Sequence, residues 1–253
     1  MLSKNTIKRL NQLVNKKNRL KEKLFIVEGD KMIAELASSA YEVAELYVTP
    51  ELESLVSNNK FPQSNVQVVT HAELKKISQL KTPQNSLAVC RIPAQTAFPV
   101  QIDSLCVYLD SIQDPGNLGT ILRICDWFGI QYVFLSPDTV DLFNPKVIQA
   151  SMGSFARVKV YEAEFGKVRS LAEKSDAAVY GAFMDGGNVY HQKLAAKAVL
   201  VVGNEGNGIR EEIEVLIDQK LSIPNFSANQ QKAESLNVSV ATAILCSEFR
   251  RHQ

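Results

Sequence analysis

From Ser104 to Arg251 the chain alternates short, almost uninterrupted runs of β-branched and aliphatic residues with segments of helical spacing. The runs are Cys106 to Leu109, Tyr132 to Leu135, Arg157 to Tyr161, Ala177 to Phe183, Ala198 to Val202 and Leu221 to Pro224. Helices are expected over Asn117 to Phe128, Pro145 to Met152, Phe165 to Lys174 and Leu236 to Arg251. A strand with one wet face alternates polar and apolar residues, so near-continuous apolar strands are those covered on both faces. The pattern therefore predicts an α/β domain with a mostly parallel sheet between helices. Ligands of such sheets bind in loops beyond the carboxyl ends of the strands.

Ahead of this region a second, smaller α/β unit is expected. Leu24 to Gly29 reads as a strand and turn, followed by a helix from Asp30 to about Ala40. Strand-like runs follow at Glu45 to Thr49, Val66 to Thr70 and Ser86 to Arg91, with a helix near Ala72 to Ser78. Ile92-Pro93 through Phe98-Pro99-Val100 has few structure-forming signals. The expected organisation is an N-terminal domain over 1–92, a linker over 93–103 and a larger domain over 104–253, a length at which each domain buries its own core.

Several function classes are excluded early. No apolar run approaches the roughly 20 residues of a membrane span, and Met-Leu-Ser-Lys-Asn lacks the apolar core of a secretory leader, so a cytoplasmic location is expected. Cys90, Cys106, Cys125 and Cys246 sit among apolar neighbours without a Cys-x-x-Cys pair and read as reduced core thiols. His71, His191 and His252 lie near none of them, so no metal site is expected.

Net charge is only +1, yet residues 1–100 hold 14 Lys and Arg against 9 Asp and Glu. Lys4, Lys8, Arg9, Lys16, Lys17, Arg19, Lys21 and Lys23 are interleaved with Ile7, Leu10, Leu13, Val14 and Leu20 at helical spacing. Such a helix is either a solvated face or a phosphate-binding surface.

Three polar segments stand where ligand-binding loops are expected. Asn117-Leu118-Gly119-Thr120-Ile121-Leu122-Arg123 follows the first strand of the larger domain, with Asn117 as the expected N-cap. Arg123 against a mostly apolar helix face marks either an ion pair or an anion site. Gly203-Asn204-Glu205-Gly206-Asn207-Gly208 follows Ala198 to Val202 and lets backbone approach a ligand closely, or is a strand-to-helix turn with Glu205 as a cap. It matches neither a dinucleotide fingerprint nor a P-loop, which argues against a dehydrogenase and against nucleoside-triphosphate chemistry. Ser235-Leu236-Asn237-Val238-Ser239 opens the last helix, where Ser235 serves either as an N-cap or as a site residue.

Together, Asn117-x-Gly119-x-x-x-Arg123, Gly203-Asn-Glu205-Gly-x-Gly208, and Ile223-Pro224 with Ser235-Leu236-Asn237-Val238-Ser239-Val240-Ala241 resemble the three motifs of the SpoU (TrmH-like) family of RNA ribose 2′-O-methyltransferases, in the family's order. The front, with Lys16-Lys17-x-Arg19, Phe25 to Gly29 and Pro83-Gln84, is similar to the family's ribosomal-protein-like substrate-binding domain. The resemblance implies a SPOUT α/β domain with a C-terminal trefoil knot that holds S-adenosylmethionine, and a homodimer with the site near the subunit interface. By position, Gly203, Asn204, Gly208, Ile223 and Leu236 are then cofactor contacts. Arg123, Asn117, Glu205, Ser235 and Asn237 form the catalytic set, and Lys16, Lys17 and Arg19 bind RNA. Ten residues, Asn225 to Glu234, separate Pro224 from Ser235.

The activity implied is methylation of a ribose 2′-hydroxyl in structured RNA. Ribosomal RNA is favoured by the extra N-terminal domain, and transfer RNA stays open. A non-catalytic RNA-binding or ribosome-assembly protein on the same fold is the alternative, against which the intact polar set argues.

Overall fold

A computed structural model describes residues 1–53, 61–62, 65–94, 97–227 and 235–251. In chain order the first elements are α1 (Lys4–Gln12), α2 (Lys16–Glu22), β1 (Leu24–Glu28), α3 (Asp30–Leu36), β2 (Val43–Val48), β3 (Val66–Val68), α4 (His71–Ile77) and β4 (Ser86–Arg91). They are followed by β5 (Leu105–Leu109), α5 (Pro115–Trp127), β6 (Tyr132–Leu135), α6 (Pro145–Ser151), β7 (Lys159–Glu162), α7 (Phe165–Lys174) and β8 (Ala178–Asn188). The last are β9 (Ala198–Val202), α8 (Glu211–Glu214), β10 (Gln219–Ser222) and α9 (Val238–Arg250). The chain divides into two compact units, Met1–Thr96 with Asp141–Arg157, and Ala97–Val140 with Val158–Gln253.

In the first unit the sheet order is β1-β4-β2-β3, with β4 antiparallel to both neighbours and β3 parallel to β2. The single basic helix expected over residues 4–23 is two helices. Leu13 turns into the core, and Asn15 starts α2 by accepting a hydrogen bond from the Lys17 amide at 2.8 Å. A side-chain oxygen that satisfies an otherwise orphaned N–H stabilises a helix start by about 1 kcal/mol, enough to place a break inside a weakly helical run. The core gathers Leu10, Leu13, Ile26, Leu74, Ile77, Leu87 and Val89. The segment carrying α6 belongs to this unit: the Phe143 ring packs 4.6 Å from Phe25, whose other neighbours are Tyr41 and Phe155. Such aromatic contacts stabilise beyond their buried area.

In the second unit every neighbouring pair in the order β10-β8-β9-β5-β6-β7 is parallel, as the apolar strands predict. Helices flank this sheet. β5 and β9 are buried along their whole length, and burying each of their Val and Leu side chains stabilises by about 1.5–3 kcal/mol. From β5 the chain proceeds to β6 and β7 on one side, and β9 returns on the other. The crevice between β5 and β9 is therefore the switch point where the loops diverge, the place at which open sheets of this kind generally bind ligands. β8 runs five residues past the expected Phe183 because β10 pairs alongside it, with a register shift between Lys220 and Leu221. All four cysteines are free and buried. Burial pushes the Cys90, Cys106 and Cys246 thiols up to about 12, which keeps them protonated.

No described helix is long and apolar enough to cross a membrane. Residues 228–234 of the Asn225–Glu234 connection, and His252, lie outside the described residues, as do residues 95–96 of the expected linker.

Candidate active site

The loop after β5 and the start of α5 set the first side of the site. The expected N-cap, Asn117, is not the cap. Asp114 takes that position, accepting from the Asn117 amide at 2.9 Å, and Pro115 occupies the first helical position, where its missing N–H costs nothing. Asn117 is thus inside the first turn and its side chain is released for other bonds. At the start of α9, Asn237 caps the helix in place of Ser235, accepting from the amides of Ser239 at 3.0 Å and Val240 at 3.4 Å.

The three loops meet at Asn117. Its Nδ2 donates to Glu205 Oε1, while its Oδ1 accepts from Asn237 Nδ2 at 3.0 Å and from Ser239 Oγ at 2.9 Å. One residue of the first motif thereby bonds the second motif on one side and the third on the other. Glu205 acts as a partner of Asn117, not as a helix cap; α8 starts instead after Arg210.

The turn carrying Glu205 is held by its own backbone. Asn204 and Gly208 exchange amide bonds of 2.9 and 3.0 Å, and Asn204 Oδ1 accepts from the amides of Gly206 and Asn207. Asn204 Nδ2 reaches the Ser111 carbonyl at 2.8 Å, which ties the turn to the β5 loop. Gly203 is required there: an added Cβ would lie 2.3 Å from the Gly208 carbonyl carbon. Gly208 itself has φ +69°, a conformation that side chains disfavour.

A charge cluster missed by the sequence reading anchors these loops. Asp110, at the end of β5, has no solvent exposure and accepts from the Arg210 amide at 2.9 Å and Arg210 Nε at 2.8 Å. Arg210 Nη2 also stands 3.6 Å from Asp138, whose carboxyl also accepts from Ser111 Oγ. Partial burial raises the Asp138 pKa, but hydrogen bonds from Ser111 and Ser136 and the Arg210 charge outweigh it and hold the carboxyl below its ordinary value. The available signal was an acid ending an entirely apolar strand, since a carboxylate in that position requires a cationic partner.

The other expected site residues are placed differently. Arg123 stands six residues beyond Asn117, about 120° around α5 and about 9 Å along its axis. It is exposed and, among the described residues, makes no hydrogen bond or ion pair; it does not join the cluster in this chain. Ser235 is exposed and also makes no bond to the cluster among the described residues, while Ile223 is half-buried after β10 and Leu236 is 48% exposed beside Asn237. Lys16 and Lys17 are exposed, as expected. Arg19 is not: it is 2% exposed, and its guanidinium bonds Asp141, the Leu13 carbonyl at 2.8 Å and the Val14 carbonyl at 2.6 Å. The charge expected to meet RNA instead pins the first unit. Among the described residues no group of metal-ligating side chains is present.

A parallel sheet whose switch-point loops join one polar cluster defines the class: an α/β protein whose loops at the carboxyl ends of β5 and β9 converge on Asn117, Glu205, Asn237 and Ser239. Residues 104–247 match the SpoU rRNA methylase family, and residues 4–88 match the MRM3-like substrate binding domain. The chain belongs to the SpoU rRNA methylase family. It is 29% identical over 245 residues to the 23S rRNA (guanosine(2553)-2'-O)-methyltransferase RlmP of Bacillus subtilis, covering 96% of this chain and 95% of that relative. A TrmH-family structure from Porphyromonas gingivalis superimposes over 100% of both chains with TM-score 0.89 and 40% identity. The AdoMet-bound rRNA methyltransferase of Sinorhizobium meliloti does so with TM-score 0.87 and 25% identity, over 100% of this chain and 96% of the other.

Proposed function

We propose that this protein is an S-adenosylmethionine-dependent methyltransferase acting on a ribose 2′-hydroxyl of structured RNA, with ribosomal RNA the favoured substrate. The observation that carries the reading is the convergence of Asn117, Glu205 and Asn237 from three distant loops onto one hydrogen-bonded cluster. The chemistry of the surrounding residues fits the cofactor. Gly203 and Gly208 have no Cβ to crowd the turn they form with Asn204, and Ile223 and Leu236 supply apolar surface for a flat base, Leu236 being exposed beside the cluster. When bound, the cofactor supplies an electrophilic methyl group. The knotted threading of the C-terminal segment is part of the same reading.

The protein's task is to align the hydroxyl and stabilise the charge left when its proton departs. Asn117, Asn237 and Glu205 orient the ribose; Glu205 Oε2, without a partner among the described residues, is open to a hydroxyl. Ser235 belongs to the same set in this reading. Arg123 holds the neighbouring phosphate and the 2′-oxygen. A guanidinium is too hard to deprotonate to be the first choice of base, so its role is positional and electrostatic.

A homodimer completes the site. Arg123 shares a helix face with Trp127, one turn further on, which is 86% exposed. α9 packs beside α5 and leaves Val240 half-exposed. In this reading a second subunit covers Trp127 and Val240, and that covering places Arg123 at the subunit boundary. On the first unit, exposed Lys16 and Lys17 meet RNA phosphates. The test is transfer of labelled methyl from S-adenosylmethionine to ribosomal and transfer RNA, followed by mapping of alkali-resistant linkages. Label at a ribose of ribosomal RNA is the expected result. RNA binding with neither cofactor binding nor methyl transfer identifies a non-catalytic RNA-binding protein.

A further inference from the structure

We infer that Ser239 is a positioning residue, which fixes the direction of the Asn117 amide and through it the Glu205 carboxylate. The inference rests on the reading of Asn117 and Glu205 as site residues and goes beyond it, because the Ser239 hydroxyl itself has no route to substrate: the residue is 4% exposed and sits in the first turn of α9.

The direction of each bond in the cluster is set by chemistry. An ionised carboxylate only accepts, so Asn117 must turn its NH2 toward Glu205. Asn237 caps α9 with its Oδ1, which faces the Ser239 and Val240 amides, so its own NH2 must face Asn117. Asn117 Oδ1 is left to accept, and its two lone pairs are filled by Asn237 Nδ2 at 3.0 Å and Ser239 Oγ at 2.9 Å. The bonds form one directed series, from Ser239 and Asn237 to Asn117 and from there to Glu205.

An amide that loses one of its two donors is freer to rotate, and rotation brings the Asn117 carbonyl against the carboxylate. Both groups would then leave the geometry that the ribose needs. Asn237 alone does not prevent this, because it hangs on the helix cap, whereas Ser239 is held by packing on α9. The Ser239 hydroxyl therefore contributes to turnover without touching RNA or cofactor.

The experiment measures single-turnover methyl transfer, RNA affinity and cofactor affinity for Ser239→Ala, Ser239→Thr, Ser239→Cys and Asn117→Ala, with melting temperature for each. We expect Ser239→Ala to lower the methyl-transfer rate roughly tenfold or more, with both affinities and the melting temperature little changed. Ser239→Thr, which keeps the hydroxyl, should exceed Ser239→Cys, which keeps only a weak donor. Ser239→Ala added to Asn117→Ala should cost nothing further, because residues acting through one another are non-additive. An unchanged rate in Ser239→Ala, or additive losses in the double variant, overturns the inference. If Ser239→Ala does not fold, the Thr and Cys variants decide it, equal rates in the two being the negative result. If Asn117→Ala alone leaves methyl transfer intact, the site reading itself fails and not merely the role of Ser239.

Discussion

Arg210 Nε lies 2.8 Å from Asp110 Oδ1, and the backbone amide of the same arginine donates to the other carboxylate oxygen at 2.9 Å. Two bonds from one residue to a carboxylate with no exposure tie the loop after β5 to the chain leaving the Glu205 turn. Asp110 is the buried partner, whereas Arg210 is 36% exposed, so removing the arginine leaves a buried carboxylate short of donors. Arg210→Ala should therefore lower stability by about 1–3 kcal/mol, whereas Asp110→Asn with Arg210 intact should cost less. Denaturant unfolding of both variants checks the order, and the reverse order would mean that Asp110 finds its compensation elsewhere.

The N-terminal cations divide into two kinds. Lys16→Glu with Lys17→Glu should weaken RNA binding strongly at low salt and flatten its salt dependence, with melting unchanged, because exposed lysines act through phosphate contacts. Arg19→Ala should instead lower the melting temperature, since it strands Asp141 and two carbonyls that the guanidinium now bonds. Melting curves and filter binding across a salt series separate the two. A melting loss in the lysine pair, or none in Arg19→Ala, would contradict this division.

That division marks where the sequence stops being informative. The parallel sheet was legible because burial on both faces writes itself into each strand, as in Ala198 to Val202, and the three loops were legible because each motif is local. Arg19 was not, since its partner Asp141 is 122 residues away and nothing in the basic run distinguishes it from Lys16 or Lys17. The break in the first helix turned on one side-chain oxygen of Asn15, and the start of α5 on Asp114 winning a capping position for which Asn117 was equally suited by type. Asp110 carried a signal, an acid ending an apolar strand, that named no partner, whereas Arg210 and Ser239 escaped assignment because their roles exist only once the loops are brought together.

Glu28 predicts a pH dependence in the first unit. It is buried at the end of β1, where it accepts from Ser78 Oγ and from the Gln79 amide at 2.8 Å. Burial raises its pKa above the ordinary glutamate value, outweighing these hydrogen bonds. The folded state then binds the proton more readily than the unfolded state. This group's contribution to stability is greatest below the ordinary glutamate value and is lost as pH rises through the raised one. Glu28→Gln should remove that downward slope, so unfolding free energy measured against pH from 4 upward should be flatter in the variant. An unchanged slope would show that Glu28 is not its source.

Gly203→Ala tests the turn on which the cofactor reading depends. A methyl group there would meet the Gly208 carbonyl carbon at 2.3 Å and the Ile209 nitrogen at 2.4 Å, both backbone atoms that cannot swing aside as a side chain would. The turn must open, which breaks the paired amides of Asn204 and Gly208 and moves Glu205 away from Asn117. Forced overpacking of this kind costs about 1–3 kcal/mol, so the folded protein should survive while its site does not. We expect calorimetry with S-adenosylmethionine to show at least a tenfold loss of affinity, the equivalent of about 1.4 kcal/mol, with methyl transfer lost at ordinary cofactor concentration. Full affinity in a folded Gly203→Ala variant would show that the cofactor rests elsewhere on the sheet.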